Sequence, residues 1–367
     1  GFARPLSYLN TEEIESVTVL KDGAATAVWG TRGANGVILI TTKRGQYNTK
    51  MQIGASYKFG MDFPINQPKF ANGYEYASAL NEALYYDGLE PQYTREELDA
   101  FRSGSNRDLY ADTDWMKEGL RKHTINNQLD ISFRGGGKRL RYFTLLSYKN
   151  DYGILNETYA KYSDRYTAQM RKYELGLRMN IDVDITPTTL AQFSMLGQLR
   201  ERKRPNTSEY DLFAGLFNTP SGAFPMQTSH GYWGSNDVLK TNPIARIADI
   251  GYFKENPRTL QADFRIRQDL SLVTPGLSME ASVAYDNNAA YKEEGYKVYG
   301  DNSALQVNNL DMTKQYINAN LEAALKYNRS FGKHTVSALG SYRLESERGI
   351  GRNNAHKRMY VNASAGY

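Results

Sequence analysis

The residues that could perform acid–base chemistry in this chain are few. Asp182 and Asp184 are two residues apart on one face of an alternating segment, so their carboxylates could lie as close together as glycoside hydrolysis requires. They also directly precede the turn-forming stretch 186–188, where acidic side chains on a polar strand face are ordinary. No nucleophile elbow or triad order accompanies them. We therefore favour a structural role for this pair over catalysis.

Metal ligands are also scarce. The chain has no cysteine, which excludes disulfides and thiol chemistry, and its four histidines show no HxxxH spacing: His123, His230, His334 and His356. Asp112 and Asp114 could bind calcium, but they lack the D-x-[DN]-x-[DN]-G pattern, which favours a solvated acidic loop. We predict no metal site, no cofactor and no enzymatic activity.

A glycine triplet, Gly30, Gly33 and Gly36, lies between an alanine-rich run that Asp22 can cap and a β-branched strand at 37–42. A strand, a helix and glycines together could indicate a nucleotide-binding loop. The spacing G-x-x-G-x-x-G, however, matches neither G-x-G-x-x-G nor a G-K-[ST] ending. We expect these glycines to occupy positions of positive φ or of close approach by another segment.

The stretch around the triplet resembles the end of the plug domain of SusC/RagA-type TonB-dependent outer-membrane transporters. Residues 20–45, LKDGAATAVWGTRGANGVILITTKRG, follow the family's pattern without a gap, with Gly23 and Trp29 where Ala and Tyr are usual. The signature positions are Asp22, Gly30, Arg32, Gly33, Asn35 and Gly36. Just upstream, Asn10 and Glu13 form a capping-box pattern that predicts a short helix before a strand at 17–20.

Beyond Gly45 the chain changes to long segments of alternating apolar and polar residues. They lie at 51–59, 129–133, 173–185, 191–199, 260–266, 277–285, 317–327 and 336–344, with further strands at 141–149 and from about Lys357. Many approach the ~9–11 residues that cross a bilayer at a tilt. The mean hydropathy is −0.62 and no run of 18 apolar residues occurs, which excludes transmembrane helices.

The connections between these segments alternate in length. Short ones at 135–138, 186–188, 274–276 and 328–333 separate long ones at 61–124, 150–172, 201–257 and 288–311, followed by a shorter one at 346–356. Outer-membrane barrels have tight periplasmic turns and large extracellular loops. The pattern therefore predicts that Pro187 and Pro275 lie on the periplasmic side. Helices are predicted at 73–84 and after Thr94.

We therefore predict an all-β fold, an antiparallel transmembrane β-barrel with the C-terminal part of a plug domain at its N-terminus. Residues 1–46 form the plug part and residues 47–367 a partial barrel. About ten strands are countable, against ~22 in large plugged transporters. The sequence starts within the plug pattern and without a signal peptide, so we expect a fragment.

Two groups of side chains are candidates for function. Loop aromatics fit either an interfacial girdle or contact with a ligand or partner: Trp115, Tyr232, Trp233, Tyr291 and Tyr296. Charges on the polar strand face would line the lumen, and its arginines would pair with plug carboxylates: Arg178, Asp182, Asp184, Arg200, Arg265 and Arg267. The net charge of +5 is spread along the chain and predicts no nucleic-acid binding.

The resemblance implies TonB-dependent active import of glycans or oligopeptides across the outer membrane of a Gram-negative bacterium of the Bacteroidetes type. It implies a SusD-like surface lipoprotein and the TonB complex as partners, the latter through a segment outside this sequence, and leaves open a dimer of transporter–lipoprotein pairs. The alternative is a passive structural or adhesive barrel whose loops bind surface partners. The plug signature favours the transporter, because an adhesin does not require one.

Overall fold

The computed structural model describes residues 9–21, 35–65, 67–161, 166–297, 305–350 and 355–366. Their strands form two antiparallel sheets. A hairpin of β1 (Ile14–Leu20) and β2 (Val37–Thr42) is the smaller, and a ten-stranded sheet in simple sequence order, β3 to β12, is the larger. This confirms the predicted fold class, because the large sheet is the wall of an antiparallel β-barrel.

The strands of the wall are long, and each pairs with its sequence neighbours. They are β3 (Thr49–Asp62), β4 (Thr124–Gly136), β5 (Leu140–Tyr152), β6 (Arg171–Thr186), β7 (Thr189–Pro205), β8 (Gly251–Asp269), β9 (Leu277–Tyr296), β10 (Gln306–Phe331), β11 (His334–Gly349) and β12 (Ala355–Gly366).

Helices occur outside the wall. They are α1 (Gly73–Tyr86), α2 (Arg95–Ser103), α3 (Trp115–Gly119), α4 (Glu157–Ala160), α5 (Glu209–Asn218) and α6 (Pro243–Ala248), together with a 3₁₀ turn at Thr11–Glu13. The capping boxes predicted from Asn10 and Thr94 are confirmed. Within the described ranges, no helix is long and apolar enough to cross a membrane.

Of the glycine triplet, only Gly36 lies within the described residues. Its φ of +90° confirms the expected backbone role, because L side chains rarely adopt this conformation. Asn35 forms part of the turn that enters β2. The other signature positions, Asp22, Gly30, Arg32 and Gly33, and the alanine-rich run lie outside the described residues.

The two faces of the wall differ in chemistry, as β6 illustrates. Arg178, Asn180 and Asp182 point toward the N-terminal residues and bind them. Their alternating neighbours point away, and Leu175 and Ile185 on that face are 46% and 53% exposed. Large apolar side chains exposed along successive strands match a surface that faces lipid rather than water.

The prediction of a loop at 288–311 is wrong for most of these residues. Strand β9 continues to Tyr296 and β10 begins at Gln306, with these two residues paired, so only residues 297–305 connect them. The apolar alternation ends near Tyr285, but backbone hydrogen bonds of a ladder do not depend on side-chain hydropathy. The strands therefore extend beyond the segment that the sequence pattern marks.

The same effect shortens other predicted connections. The loop predicted at 201–257 occupies residues 206–250, and the one predicted at 346–356 occupies 350–354. In the opposite sense, the turn predicted at 274–276 begins at residue 270. Short and long connections still alternate from β3 to β8, as predicted.

Candidate functional site

The N-terminal segment, defined here as residues 9–21 and 35–46, lies against the inner face of strands β3 to β7. At one end, Glu13 Oε2 accepts a hydrogen bond from Arg178 Nε at 2.6 Å, and both side chains are buried. Beside it, Asn10 Nδ2 donates to Asp130 Oδ1 at 2.6 Å. Polar side chains of the wall thus bind partners that are more than a hundred residues away in sequence.

Glu13 serves two structural roles with its two oxygens. Oε1 accepts the backbone N–H of Asn10 at 3.2 Å and completes the capping box, while Oε2 binds Arg178. The carboxylate is only 1% exposed, so it depends on both contacts to compensate for its desolvation. Sequence analysis identified Glu13 only as a cap, because nothing in its local pattern indicates the partner on the wall.

A second anchor centres on Asp182, which is 1% exposed. Its carboxylate accepts from Arg141 Nε at 2.7 Å, from Gln192 Nε2 at 3.1 Å, and from Arg44 Nη1. Arg44 belongs to the N-terminal segment, and its Nη2 also donates to Ser194 Oγ at 2.9 Å. This carboxylate therefore connects three wall strands, β5, β6 and β7, to the chain that leaves β2.

Wall side chains also donate hydrogen bonds to backbone carbonyls beside this second anchor. Asn180 Nδ2 donates to the carbonyl of Lys43 at 2.7 Å, and Arg134 Nε donates to the carbonyl of Arg44 at 2.7 Å. Gly45 is buried against the wall, and a Cβ there would lie 2.3 Å from the backbone nitrogen of Tyr142. This position therefore requires glycine for the close approach of the two backbones.

Asp184 has different partners from Asp182. It interacts with Tyr47, where burial raises the pKa of the phenol and a hydrogen bond to Asp184 raises it further. The Tyr47 ring also lies 4.8 Å from the Arg141 guanidinium. The two aspartates thus bind separate groups, and Asp182 is neutralised by two guanidiniums, an arrangement that suits anchoring rather than proton transfer.

The remaining lumen arginines lie elsewhere on the wall. Arg200 pairs with Glu174 at 3.6 Å and Arg265 with Glu280 at 3.4 Å, so both partners belong to neighbouring strands. Arg267 is exposed near the turn between β8 and β9. Of the four arginines, Arg178 contacts the N-terminal segment. Among the described residues, no group of three or more His, Asp or Glu side chains could hold a metal ion.

The long connections pack together into what we name the loop core. Its buried members are Trp115, Met116, Leu155, Ala160, Leu212, Leu216, Phe224, Ile244 and Ile247. They come from three connections: β3 to β4, β5 to β6, and β7 to β8. These loops therefore form one folded unit at the end of the wall.

Polar contacts support the loop core. Asn242 is fully buried, and its Nδ2 donates to the carbonyls of Met226 and Gly234, both at 3.0 Å. Tyr159 donates to Glu118 Oε2 at 2.8 Å, and burial together with this carboxylate raises the pKa of Tyr159 to about 12. The phenol therefore stays protonated throughout the physiological range.

The acidic pair considered for calcium has structural contacts in this region. Asp112 Oδ1 accepts the backbone N–H of Gly73 at 2.7 Å, and Asp114 caps α3 by accepting from Lys117 N at 3.1 Å. Both carboxylates thus satisfy backbone donors at the start of a helix.

Several aromatic residues that were predicted to lie on loop surfaces are instead buried or belong to a strand. Trp115 is 3% exposed, stacks edge-on with Phe224 at 5.5 Å and donates to the Pro220 carbonyl at 3.1 Å, so the expectation of an exposed contact residue is wrong. Burial of the indole within three packed loops explains this. Tyr291 and Tyr296 lie on strand β9 rather than in a loop.

The other two candidates lie in the connection between β7 and β8. Trp233 is half-buried against the loop core, whereas Tyr232 is 73% exposed. Tyr296 donates its hydroxyl to Gln306 across the β9–β10 ladder. Of the five aromatics, Tyr232 thus remains the most accessible loop residue.

Comparisons with known proteins agree with this architecture. TonB-dependent receptor SusC of Bacteroides thetaiotaomicron is 32% identical over 188 residues, which are 50% of this chain and 17% of that protein. A TonB-dependent receptor of Formosa agariphila is 21% identical over 348 residues, which are 93% of this chain and 30% of that protein. No protein-family model matches the chain.

A solved structure of the RagAB peptide importer superposes on 98% of this chain with a TM-score of 0.70 and 16% identity, and the match covers 44% of that chain. At this identity the likeness shows the fold. The chain spans less than a third of the length of these curated relatives.

Proposed function

We propose, from the premise that the chain is a SusC/RagA-type TonB-dependent receptor sequence, that it forms part of an active importer in the outer membrane of a Gram-negative bacterium. Residues 1–46 are the plug portion and residues 47–367 the barrel portion of this importer. The relatives are named as receptors and an importer, which supports transport over catalysis.

The observation that carries this proposal is the occupied inner face of the wall. The N-terminal segment lies on it through Glu13–Arg178 and Arg44–Asp182, while the opposite face exposes apolar side chains. A passive adhesive barrel has no need of an internal segment held by ion pairs to buried carboxylates. An energised importer does, because the pore must stay closed until the segment is displaced.

We further propose that the loop core presents the binding surface for a SusD-like lipoprotein, which would close over glycans or oligopeptides. Three packed connections offer a preformed surface, and Tyr232 is exposed on it. The TonB complex would act through a segment outside this sequence. A dimer of transporter–lipoprotein pairs belongs to the same proposal.

The direct test measures uptake in cells of the parent organism. Deleting TonB, or the gene of the proposed lipoprotein partner, should abolish growth on the polymeric nutrient that this transporter imports. Growth on the corresponding monomer should be unchanged, which controls for a general growth defect. If cells without TonB still grow on the polymer, and the loops still bind surface partners, the protein is instead a passive adhesive barrel.

Topology provides a separate prediction. Ser235 lies in the long connection between β7 and β8, and Ser271 lies in the short turn between β8 and β9; both are exposed. In intact cells, cysteine at Ser235 should react with a membrane-impermeant maleimide and cysteine at Ser271 should not. The chain has no cysteine of its own, so labelling reports only the introduced thiol.

Permeabilised cells supply the control, because both variants should then be labelled. Labelling of Ser271→Cys but not Ser235→Cys in intact cells would reverse the orientation of the wall. The periplasmic assignment of Pro187 and Pro275 would fail with it.

A further inference from the structure

The outer face of the wall carries an apolar groove of about 760 Å³, which we name the outer groove. It crosses strands β4 to β9, and its aliphatic lining residues on β4 to β8 are Leu129, Ile131, Leu146, Leu175, Leu177, Leu199 and Leu260. On β6 and β7 these side chains alternate with Arg178 and Ser194, whose side chains face the N-terminal segment. The groove therefore opens toward the membrane.

Strand register shows how the groove is built. One row of directly paired residues runs across six strands as Ile131, Leu146, Leu177, Gly197, Leu260 and Asn287. Gly197 is the one position in this row without a side chain, and a Cβ there would have no atom within 4 Å. The missing side chain leaves a depression between larger neighbours.

The adjacent row contains a cation. It runs as Leu129, Tyr148, Leu175, Leu199, Arg258 and Ala289. Arg258 is exposed, lines the groove, and has its guanidinium 5.0 Å from the centre of the Tyr291 ring. Among the described residues its guanidinium makes no hydrogen bond or ion pair, so its five donors are available to a ligand.

Arg258 lies where the apolar surface ends. The next row toward the long connections is polar, with Asn127, Asn150, Tyr173 and Glu201 paired in succession and Asn256 opposite Tyr291. Arginine on a lipid-facing strand is costly at the bilayer midplane, by ~2–4 kcal/mol, and far less so near the interface. Its position thus corresponds to the level of lipid headgroups.

We propose that the outer groove binds an anionic lipid, with an acyl chain over Gly197 and the phosphate of the headgroup on Arg258. A guanidinium can bind two phosphate oxygens at once, and the apolar rows offer a concave surface to the chain. A diacylglycerol, which has acyl chains but no phosphate, would fill the groove but offer Arg258 no anion. This proposal depends on the wall facing lipid and not on the imported substrate.

The test uses the full-length protein in detergent, titrated with dipalmitoyl phosphatidylglycerol and, separately, with dipalmitoylglycerol, which has the same acyl chains but no phosphate. Native mass spectrometry counts retained lipids. The wild type should retain one phosphatidylglycerol preferentially, and Arg258→Gln should weaken that binding about tenfold, as expected for loss of a charge-assisted contact. Gly197→Leu should weaken it comparably by filling the depression, without a clash at Cβ.

Matched controls lie on the same face, away from the groove. Gly340 on β11 also has no atom within 4 Å of a built Cβ, so Gly340→Leu adds the same bulk elsewhere. Lys357→Gln removes one exposed charge from β12, on the face of Met359. Both should bind phosphatidylglycerol as the wild type does.

Three results would overturn the proposal. One is equal retention of the two lipids by the wild type. Another is a loss in Lys357→Gln as large as that in Arg258→Gln, which would indicate diffuse charge attraction. The third is unchanged binding in Gly197→Leu, which would show that the groove holds no chain.

Discussion

Replacing Asp182 by asparagine should release the N-terminal segment from the inner wall and lower the free energy of unfolding by about 3 kcal/mol. The change removes the charge that Arg44 and Arg141 share at a site only 1% exposed. The magnitude lies at the low end for a broken buried ion pair, because the two arginine side chains are 31% and 29% exposed and water can partly solvate them. The measurement is hydrogen exchange of residues 37–46 in the full-length protein, together with its thermal unfolding.

Glu322→Gln is the matched control. Glu322 pairs with Arg343 at 2.6 Å between β10 and β11, without any partner in the described part of the N-terminal segment, and the Arg343 and Glu322 side chains are 46% and 32% exposed. Exposed pairs of this kind contribute ~0–1 kcal/mol. Exchange at residues 37–46 should be unchanged in this variant. If Asp182→Asn also leaves it unchanged, the second anchor does not hold the segment.

Replacing Trp115 by alanine should unfold the loop core locally while leaving the wall intact. Truncating a buried tryptophan costs ~3–5 kcal/mol. Here it would also remove the contact with Phe224 and the hydrogen bond to Pro220. Because three connections share this core, residues 206–250 should become sensitive to limited proteolysis although the substitution lies in another loop. The wall strands should keep their protection in hydrogen exchange.

Tyr232→Ala serves as the control for this experiment. Its ring is 73% exposed in the connection between β7 and β8, so its truncation should alter stability by less than about 0.5 kcal/mol. Proteolysis at 206–250 in Tyr232→Ala but not in Trp115→Ala would contradict the assignment of Trp115 to the loop core. Under the proposed function, Trp115→Ala should also reduce recovery of the lipoprotein partner.

The local sequence pattern was sufficient to predict the strands and the first residues of several helices. Alternation along β6 assigned each side chain to one of two faces, because successive residues of a strand point in opposite directions. The capping boxes at Asn10 and Thr94 depend on contacts three residues apart, so they too could be identified from sequence. The ends of β9 and β10 could not, since ladder hydrogen bonds continue where apolar alternation stops.

Contacts between distant segments were decided only by the tertiary structure. Sequence placed Asp182 on the polar face, but its partner Arg44 is 138 residues away and no local pattern connects them. Sequence likewise placed Trp115 in a long loop and suggested exposure, whereas burial required two other loops to meet it. The sequence determined which face each strand residue occupies, because that depends on backbone geometry alone. Which residues meet across the lumen or between loops depends on the path of the whole chain, and so only the folded structure decided it.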